Sequence, residues 1–186
     1  MYNEAYNKVL HYFFAYPYEA TTLNKLVKKV KISKTTANKI VTKLNKEKFL
    51  NIEEFGNTWR ITCNNKHKYN QRRKIPYNLQ LILESNLIEE INQKFPANKA
   101  IILFGSYRKG DDTEKSDIDI AVETFTKKAE IIPFKRINIG FRRGININIY
   151  NFSKNKVDSN LFANIANGII LDGFLEVTCE NKKTRS

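Results

Sequence analysis

The chain has 186 residues, 41% of them hydrophobic, which is enough to bury a core and too apolar for a wholly disordered chain. No apolar run reaches the roughly 18 residues a membrane span needs. No basic segment leads an apolar one at the N-terminus, so no signal peptide or membrane partner is expected and a cytoplasmic setting is read. The net charge of +13 is uneven: residues 1–76 carry 16 Lys+Arg against 5 Asp+Glu, and residues 77–186 carry 16 against 14. A polyanion suits that field, although a surface merely rich in Lys and Asn would give the same count. Cys63 and Cys179 are far apart and lack C-x-x-C spacing, and His11 and His67 are too few for a zinc site.

Tyr6, Val9, Leu10, Phe13 and Phe14 recur at helical spacing and predict a helix over residues 2–16, ended by Pro17. Thr21 or Thr22 is placed to cap a second helix holding Leu23, Leu26, Val27 and Val30. Ser33 caps a third, with Ala37, Ile40, Val41 and Leu44 inward. Its other face carries Lys34, Thr35, Thr36, Asn38, Lys39, Thr42 and Lys43. Phe49 to Phe55 and Thr58 to Cys63 read as strands of a hairpin turned at Gly56-Asn57. Three helices and a hairpin in this order resemble a winged helix-turn-helix domain, here residues 1–63. The resemblance implies duplex DNA as partner. Lys34, Thr35, Thr36, Asn38 and Lys39 would read the groove, and Lys43 and Arg60 would touch phosphates. Domains of this type also dock proteins or form homodimers. Trp59, at the base of the hairpin, reads as core.

Residues 64–76 are polar, basic and aperiodic, and read as a linker ending near Pro76. Leu79, Ile82, Leu83, Leu87, Ile91 and Phe95 predict one long amphipathic helix ending at Pro96. Lys99 to Phe104 reads as a strand buried on both faces. Residues 128–143 allow either a helix or a strand. Gly144 to Tyr150 alternates as a strand, residues 158–171 read as helical, and residues 179–186 read as a flexible tail.

Between these elements lies the most informative stretch. An apolar strand ends in Gly105-Ser106, a polar spacer follows, and then comes Asp117-Ile118-Asp119-Ile120. Alternation along a strand projects Asp117 and Asp119 together and sends Ile118 and Ile120 into the core. Paired carboxylates are hard oxygen ligands suited to Mg²⁺, and a Gly-Ser turn entering a helix can offer N–H groups to phosphate. The pattern resembles the signature of the nucleotidyltransferase superfamily of DNA polymerase β and kanamycin nucleotidyltransferase. That signature is hydrophobic-Gly-Gly/Ser, a spacer of about ten residues, then Asp-hydrophobic-Asp/Glu-hydrophobic.

The resemblance covers roughly residues 79–175. With the N-terminal part it implies an α+β chain: a winged helix, then a mixed sheet flanked by helices over residues 77–178. It implies Mg²⁺- or Mn²⁺-dependent transfer of a nucleoside monophosphate from an NTP, ATP first among them, to a hydroxyl. Gly105 and Ser106 would hold the triphosphate, and Asp117 and Asp119 the metal. Arg108 and Lys109 would pair with phosphate oxygens or simply be solvated, and Asp111, Asp112 and Glu114 read as an acidic surface loop. Active members carry a third carboxylate on the next strand. Here that position falls on Asn146, or on Asn148 one repeat later, and Asn cannot act as a general base. The alternative is therefore a DNA-binding regulator or antitoxin-like protein, nucleotide-binding but weakly active or inactive, with a protein partner conceivable.

Overall fold

A computed structural model describes residues 2–176. Cys179, residues 177–178 and the expected tail at 179–186 lie outside the described residues. The N-terminal part is α1 (Tyr2–Ala15), α2 (Leu23–Val30), α3 (Lys34–Lys46) and the antiparallel hairpin of β1 (Leu50–Phe55) and β2 (Thr58–Cys63). Thr22 Oγ1 accepts from Lys25 N at 3.3 Å and starts α2, and Ser33 Oγ accepts from Thr36 N at 3.1 Å and starts α3. Between them Lys31 turns the chain at φ 55°. Val9, Leu10, Phe13, Leu26, Ile40, Val41, Leu44, Phe49 and Ile61 form one core.

Residues 64–76, read as aperiodic linker, hold structure. α4 (Tyr69–Arg72) lies within them, and α5 (Lys74–Leu83) starts before the expected boundary. Asn70 and Lys74 are buried. The single long helix expected to end at Pro96 is two, α5 and α6 (Leu87–Lys94). Asn86 breaks it by taking the left-handed conformation at φ 58°, which Asn tolerates better than most residues, while Ser85 Oγ donates to Ile82 O at 2.6 Å. Leu83 points to solvent rather than to the core.

The C-terminal part continues with β3 (Ala100–Phe104), the short α7 (Gly105–Lys109), β4 (Ile118–Glu123), β5 (Glu130–Ile139), β6 (Arg142–Phe152), α8 (Ser159–Ala166) and β7 (Ile169–Gly173). The ambiguous 128–143 segment is thus a strand. Ile132, Ile137 and Ile139 face the core while the strand pairs with β6, and Gly140 turns the hairpin with φ 54°. Pro133, which cannot donate to a ladder, is tolerated because β5 is an edge strand with a bulge beside it. The helix expected over 158–171 ends early, and Ile169–Gly173 instead pairs antiparallel with β3. The five-stranded sheet has the order β5-β6-β4-β3-β7, and β4 with β6 is its parallel pair.

One sheet face, with Ile101, Leu103, Ile118, Ile120, Ile147 and Ile149, packs on Ile82, Leu87, Ile91 and Tyr107. The other face carries Ile102, Phe104, Ala121 and Phe152 under Ile165 of α8. The result is a mixed α+β chain with a helical N-terminal region. Among the described residues no helix is long and apolar enough to cross a membrane.

The two parts share their packing. Tyr77 of α5 enters the N-terminal core, its ring 4.1 Å from His11, and Tyr16 Oη donates to Phe141 O at 2.7 Å. Asp112, expected on an acidic surface loop, is buried instead. Its carboxylate meets Lys74 Nζ at 3.3 Å and Arg142 Nη1 at 3.1 Å, and it accepts from Asn78 Nδ2 at 2.7 Å. Arg142 Nη2 also donates to Ser116 O at 2.7 Å. Burial pushes the Asp112 carboxyl up and the Lys74 ammonium down, and their mutual attraction opposes both shifts. Removing the carboxylate would leave two buried cations without a counter-charge. Asp112→Ala is therefore expected to cost about 3–5 kcal/mol in urea unfolding, and a loss below about 1 kcal/mol would show the cluster to be dispensable.

Candidate active site

The site forms where β3 ends, β4 begins and the middle of β6 runs beside them. β3 stops at Phe104, and Gly105 turns the chain at φ +70° into α7. The same glycine lies against the carboxylate strand: a Cβ on Gly105 would come within 2.6 Å of Asp119 Oδ2. Two constraints thus require glycine here, a left-handed backbone and a close approach. Ser106 follows, half-buried, with its carbonyl accepting from Gly110 N at 2.9 Å.

Asp119 stands opposite Phe104 on one side and opposite Asn148 on the other, so these three side chains share one face. Asp117 falls one repeat earlier on that face, beside Asn146. The asparagines donate to the carboxylates. Asn146 Nδ2 reaches Asp117 Oδ1 at 2.9 Å, and Asn148 Nδ2 lies 3.3 Å from Asp117 Oδ2 and 3.4 Å from Asp119 Oδ1. Burial raises the Asp119 carboxyl above its ordinary value, the Asn148 hydrogen bond opposes the rise, and the charge of Asp117 adds to it. Two like charges side by side favour a proton or a cation, and the carboxamides relieve the repulsion only in part.

Asn146 and Asn148, the two residues on which the expected third-carboxylate position falls, both face the aspartates, in different ways. Arg136 of β5 donates from Nε to Asn146 Oδ1 at 2.8 Å. That bond fixes the Asn146 amide with its nitrogen toward Asp117. No such partner holds the Asn148 oxygen among the described residues, so a half-turn of its amide would present oxygen to a cation. Among the described residues no three His, Cys, Asp or Glu side chains cluster at metal-binding distance. With the Asn148 amide so turned, Asp117, Asp119 and the Asn148 oxygen would form a hard, all-oxygen donor set of the kind Mg²⁺ accepts when substrate phosphates complete its shell.

Sequence reasoning missed Arg136 and Tyr150. Tyr150 lies on the same face two residues after Asn148 and packs edge-on against Phe104 at 4.9 Å, flooring the site. Its hydroxyl is raised by burial first and then by the charges of Asp119 and Asp117. The alternation of β6 could have shown Tyr150, whereas Arg136 needed the β5–β6 register.

Residues 84–159 match the model of the nucleotidyltransferase domain family. The match supports nucleotidyl transfer as the general class of function. It begins after α5 and ends at the start of α8, and so takes in Gly105, Ser106, the aspartate pair, Arg136 and the asparagine strand. No curated protein matches the chain in sequence.

The remaining sequence-read residues are dispersed. Arg108 is half-buried and Lys109 exposed at the end of α7, and neither forms an ion pair among the described residues. Asp111 and Glu114 are exposed as expected. On α3, Lys34, Thr35, Asn38, Lys39 and Lys43 are exposed in one N-terminal helix, while Thr36 is half-buried and engaged in the Ser33 cap. Lys43 sits over the Tyr6 ring at 5.0 Å, and Arg60 is paired with Glu53 at 2.8 Å.

Proposed function

We propose that the chain binds a nucleoside triphosphate with one divalent cation and transfers the nucleoside monophosphate to a hydroxyl, slowly. The observation that carries this reading is the contact between Gly105 and Asp119. It puts a left-handed turn, whose N–H groups suit phosphate oxygens, directly beside a carboxylate pair suited to Mg²⁺ or Mn²⁺. Gly105 and Ser106 would hold the triphosphate, and Arg108 or Lys109 would reach its outer oxygens. The cation, held by Asp117 and Asp119, would neutralise charge on the phosphoryl oxygens.

In the reaction the acceptor oxygen bonds to the α-phosphorus as the bond to the bridging oxygen breaks, and pyrophosphate leaves with the electron pair. The acceptor proton goes to water at the open cleft, because Asn146 and Asn148 cannot take it. That absence sets the slow rate. Asn148, level with Asp119, is where a base would stand.

The N-terminal three-helix and hairpin unit is read as a winged helix that holds nucleic acid, with ATP chemistry or ATP sensing attached. Lys34, Thr35, Thr36, Asn38 and Lys39 would face the groove, and Lys43 and Arg60 the backbone. Exposure of the α3 face and the charge of +11 over residues 1–76 support this. A regulatory role, with nucleotide bound but little turned over, is favoured by the amide hydrogen bonds that already occupy the carboxylates.

Labelled NTPs with Mg²⁺ or Mn²⁺ and hydroxyl acceptors are expected to give slow label transfer, abolished by Asp117→Ala or Asp119→Ala. Asn148→Asp is expected to raise the rate at least about tenfold by restoring a base. No label above the aspartate variants, with or without Asn148→Asp, would rule out turnover. Duplex DNA affinity is expected to fall at least about tenfold between about 50 and 200 mM salt as counterion release weakens. Glu at Lys34, Lys39 and Lys43 should remove it, and salt-independent binding would contradict the winged-helix reading.

A further inference from the structure

The stretch expected to be a linker carries charge that neither the fold nor the nucleotide site uses. Residues 64–76 hold five Lys+Arg and no Asp or Glu. They are also fixed in place. Asn64 N donates to Phe49 O at 2.8 Å, Asn64 Nδ2 to Lys48 O at 2.9 Å, and Asn70 Nδ2 to Asn64 O at 3.0 Å. On its other side α4 lies against the residue that follows α7. A Cβ on Gly110 would come within 2.7 Å of Asn70 O and 3.5 Å of Gln71 Cα. The segment is thus wedged between the chain leaving α3 and the chain leaving α7.

Two of its five cations are engaged inside. Lys74 is buried against Asp112. Arg73 donates from Nη1 to Tyr6 Oη at 3.3 Å and lies 4.8 Å from the Tyr69 ring. The other three, Lys66, Lys68 and Arg72, are exposed and pair with no carboxylate among the described residues. Two acids stand nearby. Glu47 is engaged by Tyr69 Oη at 2.9 Å and Tyr6 Oη at 3.3 Å, and Asp111 is exposed beyond Gly110. Tyr6 joins the strip to α3, because Lys43 Nζ at 5.0 Å and Arg73 Cζ at 5.4 Å flank its one ring. Fixed cations without carboxylate partners, continuous with the basic face of α3, suit a densely charged phosphodiester backbone.

Resting on the reading of the N-terminal unit as a winged helix, we propose that α4 and its flanks form a second nucleic-acid contact. Lys66, Lys68 and Arg72 hold the sugar-phosphate backbone of a duplex whose groove faces α3. They position the duplex without reading its sequence. A bound duplex therefore covers the segment that joins the two parts of the chain.

The test uses the full chain and a fluorescently labelled mixed-sequence DNA duplex, titrated across a range of salt. Each phosphate contact contributes about 0.9 to the slope of log affinity against log salt, so Lys66→Gln/Lys68→Gln/Arg72→Gln is expected to flatten that slope by about 2–3 and to weaken binding at least about tenfold. The charge-keeping Lys66→Arg/Lys68→Arg/Arg72→Lys should retain both slope and affinity. Lys127→Gln/Lys128→Gln/Lys156→Gln removes the same charge from exposed positions in the C-terminal part and should change little. An unchanged slope in the first variant, an equal loss in the Lys127, Lys128 and Lys156 variant, or displacement of the duplex by polyglutamate as readily as by unlabelled duplex of equal charge would overturn the proposal. Loss on changing Lys34, Lys39 and Lys43 but not the α4 strip would leave the winged-helix reading and sink this one. Loss on changing the strip alone would sink the winged-helix reading and leave the strip, and a chain that binds no duplex would sink both.

Discussion

A single carboxylate taken out of water organises this molecule. Asp112 is buried, which is costly unless the charge is paired and hydrogen-bonded. Its partners come from distant parts of the chain, Lys74 at the start of α5, Arg142 at the start of β6 and Asn78 within α5. The loop from Gly110 to Ser116 is therefore clamped at its middle, and that loop joins the Gly-Ser turn to the aspartate strand. The clamp also reaches the N-terminal part, because α5 carries Lys74 and Asn78 on one side and Tyr77 into the helical core on another. Without the clamp, Gly105 and Asp119 would be held in contact only by strand pairing and by the packing of Tyr107 into the core.

The catalytic face shows the opposite balance. There the negative charges are left incompletely matched. Two carboxylates meet two carboxamides, one pinned by Arg136 and one free to turn. Under the proposed function, this arrangement would leave the aspartates able to take a cation and would lack the base that rapid proton removal needs. A carboxylate at Asn148 would add a third negative charge to a site that has no buried cation among the described residues.

Local pattern carried the sequence reading a long way. The helical spacing of Val9, Phe13, Ile40 and Leu44, the Thr22 and Ser33 caps and the alternation of Gly144 to Tyr150 each point to the element found. So does the shared face of Asp117 and Asp119. Where local pattern failed, a long-range contact decided. Asp112 looks like its exposed neighbours Asp111 and Glu114, and only Lys74 and Arg142, 38 and 30 residues away, draw it inside. Residues 64–76 look like linker because their buried members, Asn70 and Lys74, are polar. Ile169 to Gly173 continues the apolar spacing of α8, and only the open edge of β3 makes it a strand. Arg136 carried no signal until β5 was paired with β6.

The central claim is that nucleotide phosphates and a divalent cation meet at Gly105, Ser106, Asp117 and Asp119. Its most direct test is an amide NMR spectrum of the chain with a non-hydrolysable ATP analogue and substoichiometric Mn²⁺, whose unpaired electrons broaden nearby signals. The amides of Gly105, Ser106, Asp119 and Asn148 should broaden first, and those of Lys34 to Lys43 should stay sharp. Broadening centred elsewhere, or none at these four residues, would contradict the claim.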